Sequence, residues 1–156
     1  STELYALLSS LSGLVIKQNI AVTGSVNQFG EVQPIGGVNE KIEGFFDICM
    51  RKDPDASYGV IIPYTNVKHL MLKTEVIEAV EKGTFSIYAV KTIDEGITIL
   101  TGVEAGEADI KGKFPKDSVN GKVVARLQTL SEAVRQFNHP KPAAKRAVAA
   151  KKKSKE

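Results

Sequence analysis

The sequence predicts a layered α/β domain, and three observations carry that expectation. Apolar runs of strand length, residues 58–62 and 85–90, alternate along the chain with stretches of helical period, residues 38–51 and 93–100. Proline and glycine punctuate the joins, at Pro34, Gly36, Gly37, Pro63, Gly83 and Gly102. With 156 residues, 42% hydrophobic and 25% charged, the chain can bury one proper core and has the balance of a globular protein.

Each element follows from its own residues. Residues 2–11, TELYALLSSL, read as a helix with Ser1 as its cap. Residues 19–23 and 31–33 read as short strands joined through the Asn27-Gln28-Phe29-Gly30 turn, a hairpin that delivers the chain to Pro34-Ile35-Gly36-Gly37. The two glycines let the backbone turn tightly into the helix over residues 38–51. There Val38, Ile42, Phe45, Phe46, Cys49 and Met50 recur at helical spacing, with Glu40, Glu43, Asp47 and Arg51 on another face. Residues 58–62 suit a buried strand ended by Pro63, and helical stretches over 67–72 and 75–81 precede Gly83. A strand over 85–90 and a helix over 93–100, stopping at Gly102, complete the alternation. Residues 106–118 read as a linker. Residues 120–137 form a further helix with Val123, Val124, Leu127, Leu130, Val134 and Phe137 on one side, able either to pack back or to meet a partner.

Charge divides the chain. From residue 138 onward Lys141, Lys145, Arg146, Lys151, Lys152, Lys153 and Lys155 stand against Glu156 alone, so this tail carries +6 and the remainder −3 of the net +3. Pro140 and Pro142 break a helix, and alanine and lysine supply too little apolar bulk for a core, so residues 138–156 read as a disordered extension. Such a tail can hold polyanions, including nucleic acid, without sequence preference, or stay solvated and idle; it has no aromatic residue for base stacking.

Several chemistries are disfavoured. The single cysteine, Cys49, rules out an internal disulfide, and its apolar helix face suggests a buried, inert thiol suited to a reducing cytosol. His69 and His139 lie too far apart in context for a metal pair, and a triad through His69 has little support from its V-K-H-L-M-L surroundings. No G-x-x-x-x-G-K-[ST] loop is present, so no phosphate cradle is expected, and no apolar run reaches membrane-spanning length. The absence of an initiating Met, with residue 1 already in a helix, suggests a piece of a larger protein.

Lys41 is the candidate chemical group. It lies four residues before Phe45 and eight before Cys49, so this spacing predicts that it shares their side and points inward. Its neighbours at three and four positions, Gly37, Val38, Gly44 and Phe45, include no acid to hold it charged. A desolvated amine gives up its proton more readily and becomes a base. The plainer alternative is a lysine that lays its stem along the helix and carries its ammonium to water.

The surrounding residues resemble a known family. Ala21-Val22-Thr23-Gly24, then Gly30-Glu31-Val32-Gln33-Pro34-Ile35-Gly36-Gly37-Val38-Asn39-Glu40-Lys41, are similar to the proteolytic domain of Lon proteases, as are YGVIIPYTN at residues 58–66 and the stretch 85–102. The resemblance implies a ribosomal protein S5 domain 2-like layered α/β fold over residues 1–103, followed by linker and helix over 104–137 and the basic tail over 138–156. It implies an ATP-dependent serine endopeptidase in which Lys41, last residue of the Gly-Gly-x-x-Glu-Lys stretch, is the general base of a serine/lysine dyad. Thr23, in the strand-ending Thr-Gly, would support Lys41, or equally be an ordinary strand residue. The nucleophilic serine would lie a few residues upstream of Ser1. Ser1 itself would be turned away from Lys41, and this chain taken by itself would be hydrolytically dead.

The resemblance further implies a cytoplasmic ring of six identical subunits that admits unfolded or damaged proteins. No cofactor is expected in this chain, with ATP and magnesium serving an N-terminal module. A second hypothesis is a noncatalytic S5-like scaffold whose basic tail is the working part.

Overall fold

The computed structural model describes residues 1–138, so the expectation for the basic tail lies, from residue 139 on, outside the described residues. The elements run α1 (Thr2–Ser12), β1 (Ile20–Val22), β2 (Ser25–Val26), β3 (Val32–Gln33), α2 (Val38–Lys52), β4 (Tyr58–Pro63), a 3-10 helix (Tyr64–His69), α3 (Thr74–Glu81), β5 (Phe85–Val90), α4 (Ile93–Thr101) and α5 (Val119–Asn138). β1, β4 and β5 form a parallel sheet in that order, with Ile20 opposite Gly59 and Tyr58 opposite Phe85. Each neighbouring pair is joined through a helix, the crossover that parallel pairing requires. β4 is central, and its uninterrupted apolar run is buried from Gly59 to Pro63, as a strand covered on both faces should be.

The sheet separates two cores. On one side Tyr5 of α1, Ile93, Ile97 and Leu100 of α4, and Val119 and Val123 of α5 close over Ile61 and Val90. On the other, Val38, Ile42 and Phe46 of α2 and Val76 and Ala79 of α3 close over Val60, Ile62 and Phe85. The expected layered α/β arrangement is therefore present. α5 runs against α1 but buries side chains fully only in its first turns: Val119 is fully buried, whereas every residue from Val124 to Asn138 is exposed. None of the described helices is long and apolar enough to cross a membrane.

Two local expectations are corrected. Residues 19–23 do not pair with 31–33. Ile20–Val22 joins the parallel sheet, and the antiparallel ribbon is Ser25–Val26 with Val32–Gln33. The chain changes partners at Gly24, while the Asn27–Gly30 turn stands as expected, its Asn27 Oδ1 accepting from the amides of Phe29 and Glu31. The helix expected over 67–72 is a 3-10 helix ending at His69. Beyond it, the Asn39 side chain donates to the His69 carbonyl and accepts from the Met71 amide, giving that backbone partners outside a helix.

Candidate active site

The Thr23-Gly24 strand end, the Pro34–Gly37 turn and the segment after Pro63 lie at the carboxyl ends of the parallel strands, where α/β folds present their clefts. β1 runs out at Thr23, whose amide extends the ladder to the Ile61 carbonyl at 2.9 Å. Ile20 and Val22 pack with the α1 and α4 layer, and Ala21 packs with the α2 layer. Strand alternation therefore directs Thr23 to the side that α2 covers. The next residue anchors α1: the N-terminal ammonium and the hydroxyl of Ser1 each donate to the Gly24 carbonyl at 3.1 Å. Ser1 thus occupies the cap position without capping, because its side chain makes no bond to the helix and is taken by Gly24 instead.

β3 leads into the Pro34–Gly37 turn. Gly37 adopts φ 66°, a left-handed conformation that costs a residue with a side chain about 1–2 kcal/mol, and its carbonyl receives the Lys41 amide at 3.1 Å to open α2. The Lys41 Nζ folds back to donate to the Gly36 carbonyl at 3.2 Å. Lys41 is exposed, which overturns the expectation of an inward-pointing amine. The buried stripe of α2 is Val38, Ile42, Phe46 and Cys49. Lys41 stands one residue, about 100° of rotation, to the side of that stripe, and Phe45, on which its inward placement rested, is itself only half-buried.

Behind the turn lies a residue that the sequence reading did not single out. Asn66 is 4% exposed, and its side-chain amide both accepts from the Ile35 amide at 3.0 Å and donates to the Ile35 carbonyl at 2.9 Å. It serves that residue as a neighbouring strand would. Alongside, one polar row of α2 holds the segment that follows the 3-10 helix. Asn39 grips His69 and Met71, Glu43 accepts from the Lys73 amide at 2.8 Å, and Asp47 pairs with the Lys73 ammonium. Hydrogen bonding to Asp47 pushes Lys73 up from its ordinary value, with burial opposing, and the ammonium also lies 5.5 Å from the Phe46 ring centre. The spacing of Asn39, Glu43 and Asp47, four and four, was a legible signal for a polar face that receives something.

The site therefore assembles the start of α1, Thr23-Gly24, the Lys41 turn and Asn66 at one end of the sheet. Among the described residues no hydrogen bond joins Thr23 to Lys41: the Thr23 amide bonds to Ile61 and the Lys41 amine to Gly36.

Residues 1–102 match the family model described as the Lon protease (S16) C-terminal proteolytic domain. The chain is 51% identical over 98 residues to a protein named as a Lon protease homolog from Escherichia coli (strain K12), covering 63% of this chain and 17% of that protein. It is 38% identical over 94 residues to an archaeal Lon protease of Thermococcus kodakarensis, covering 60% of this chain and 13% of that protein. With Lon protease 1 of Hydrogenovibrio crunogenus it shares 33% identity over 131 residues, covering 81% of this chain and 14% of that protein. The chain thus spans about a sixth or less of the length of these curated relatives. By these matches the chain belongs to the Lon protease family, through its C-terminal proteolytic domain.

Proposed function

We propose that this chain supplies the base-bearing part of a serine/lysine endopeptidase site, with Lys41 as general base, Thr23 as its support and the nucleophilic serine N-terminal to Ser1. The observation that carries the proposal is the convergence of the α1 start, pinned to Gly24, with the Thr23 strand end on the side of the sheet that α2 covers. A serine just before α1 would enter the same end of the sheet. Its hydroxyl would attack the peptide carbonyl carbon as Lys41 takes the proton. Lys41 would then return that proton to the leaving amine, and water would release the acyl group by the same route.

Because Lys41 is exposed among the described residues, its shielding must come from the serine-bearing segment and from the bound polypeptide as they close over the Gly36 carbonyl. An S5-like fold accords with the three layers, and a cytoplasmic setting accords with the unpaired, buried Cys49. A hexameric ring, unfolded protein substrates, and ATP with magnesium in a separate module follow from the resemblance. The cluster from Lys141 to Lys155 would offer nonspecific polyanion contact.

The experiment is hydrolysis of an unfolded protein and of an internally quenched peptide by the polypeptide extended N-terminally through the serine, set beside residues 1–156 by themselves. Cleavage by the extended form and none by the shorter one supports the proposal; cleavage by residues 1–156 would place the nucleophile elsewhere.

A further inference from the structure

We infer that Asn66 is a positioning residue for Lys41, acting through the Ile35-Gly36 backbone. The inference rests on the dyad reading above and adds to it a side chain from a different element. Lys41 donates to the carbonyl of Gly36, so the place of its amine depends on how that carbonyl is held. Gly36 has open space around it and no side chain to fix it. What holds the turn is the preceding residue, where Asn66 satisfies both the amide and the carbonyl of Ile35 at 3.0 and 2.9 Å.

The clamp is rigid for three reasons. Asn66 is buried, so water does not compete for Ile35. It sits in the 3-10 helix that follows Pro63 directly, so the fully buried end of β4 fixes its backbone. Asn39, two residues before Lys41, ties the far end of the same segment back to α2 at His69 and Met71. The turn and the helix start that carry Lys41 are thereby stitched at two points, 35–66 and 39–69/71, to the segment that follows the central strand. Asparagine suits the role because one planar group offers an acceptor and a donor side by side; aspartate keeps the acceptor and loses the donor.

The test uses the serine-bearing extended polypeptide, comparing Asn66→Ala and Asn66→Asp with Lys41→Ala on an internally quenched peptide, well below each variant's thermal midpoint. Hydrogen exchange at the Ile35 amide reports the clamp itself. Loss of both bonds in Asn66→Ala, and of the donor to the Ile35 carbonyl in Asn66→Asp, should lower kcat roughly 10- to 100-fold, with KM within about twofold and faster Ile35 exchange. Should Asn66→Ala fail to fold, the isosteric Asn66→Asp carries the measurement. Unchanged kcat in a folded Asn66 variant, or a rise in KM at constant kcat, overturns the inference. A Lys41→Ala variant that still hydrolyses the peptide refutes the dyad reading instead, so the two failures are told apart.

Discussion

The Lys41 ammonium reaches back five residues to the Gly36 carbonyl, at 3.2 Å, instead of entering the core beneath α2. The side chain proposed as the base is thus held by backbone from the turn that launches its own helix. On that proposal, the shape of the turn becomes a determinant of activity.

Gly37→Ala tests that dependence. At φ 66° an added Cβ is strained wherever there is space, so the variant should lose roughly 1–2 kcal/mol of stability, read as a lower denaturant midpoint. Activity of the extended polypeptide should fall further than stability explains. Full activity with the expected destabilisation would separate the turn from Lys41.

Tyr5 should make the fold sensitive to alkali. Its hydroxyl is buried against Gly96 with no hydrogen-bond partner among the described residues, and burial, then Glu95 and Asp94, push it up to about 12 from an ordinary value near 10. Between those pH values the unfolded chain loses the proton that the folded chain keeps, so stability falls as pH rises, by on the order of 1–2 kcal/mol across the window. Denaturant midpoints at pH 9.5 and 11.5 measure this. Tyr5→Phe, which removes an orphaned hydroxyl, should be at least as stable at neutral pH and lose less over the same range.

Cys49 should be silent in the folded state. The thiol is buried and burial pushes its pKa up, with Lys52 only partly opposing, so the thiolate is scarce and covered. A disulfide exchange reagent at pH 8 should modify it on the timescale of unfolding and at once in guanidinium. Rapid modification of the native chain would contradict the packing of α2.

Val119→Ala should behave as a core substitution although it lies beyond residues 1–102 matched to the family. Val119 is fully buried and shares a cluster with Ala105, Ile97 and Leu100, so a loss of about 1–3 kcal/mol is expected. A neutral outcome would show that the domain closes without α5.

Elements with a strong local period were legible from residue order: β5 lies at residues 85–90 as expected, and α2 begins at Val38 and ends at Lys52, one residue beyond the expected helix. What escaped depended on partners distant in the chain. The 19–23 segment carries the same apolar pattern whether it meets Val32 in a hairpin or Ile61 in a parallel sheet, and only the α2 crossover decides. Lys41 shares a helical side with Phe45, but the sheet meets α2 along Ile42 and Phe46, and that rotation is set by tertiary packing. Asn66 is a single polar residue whose two bonds span 31 positions, and no periodicity announces such a clamp. The lysine and its glycine turn were found by resemblance; the asparagine behind them was found by geometry.

The central claim is that the Lys41 amine takes the proton from a serine N-terminal to α1. The decisive measurement is single-turnover acylation of the extended polypeptide by an activated ester peptide, for the native sequence, Lys41→Ala and Lys41→Arg. The account expects acylation to be lost in both variants while the fold and peptide affinity persist, because neither a methyl group nor a guanidinium can accept the proton. Acylation at the native rate in a folded Lys41→Arg variant would contradict it.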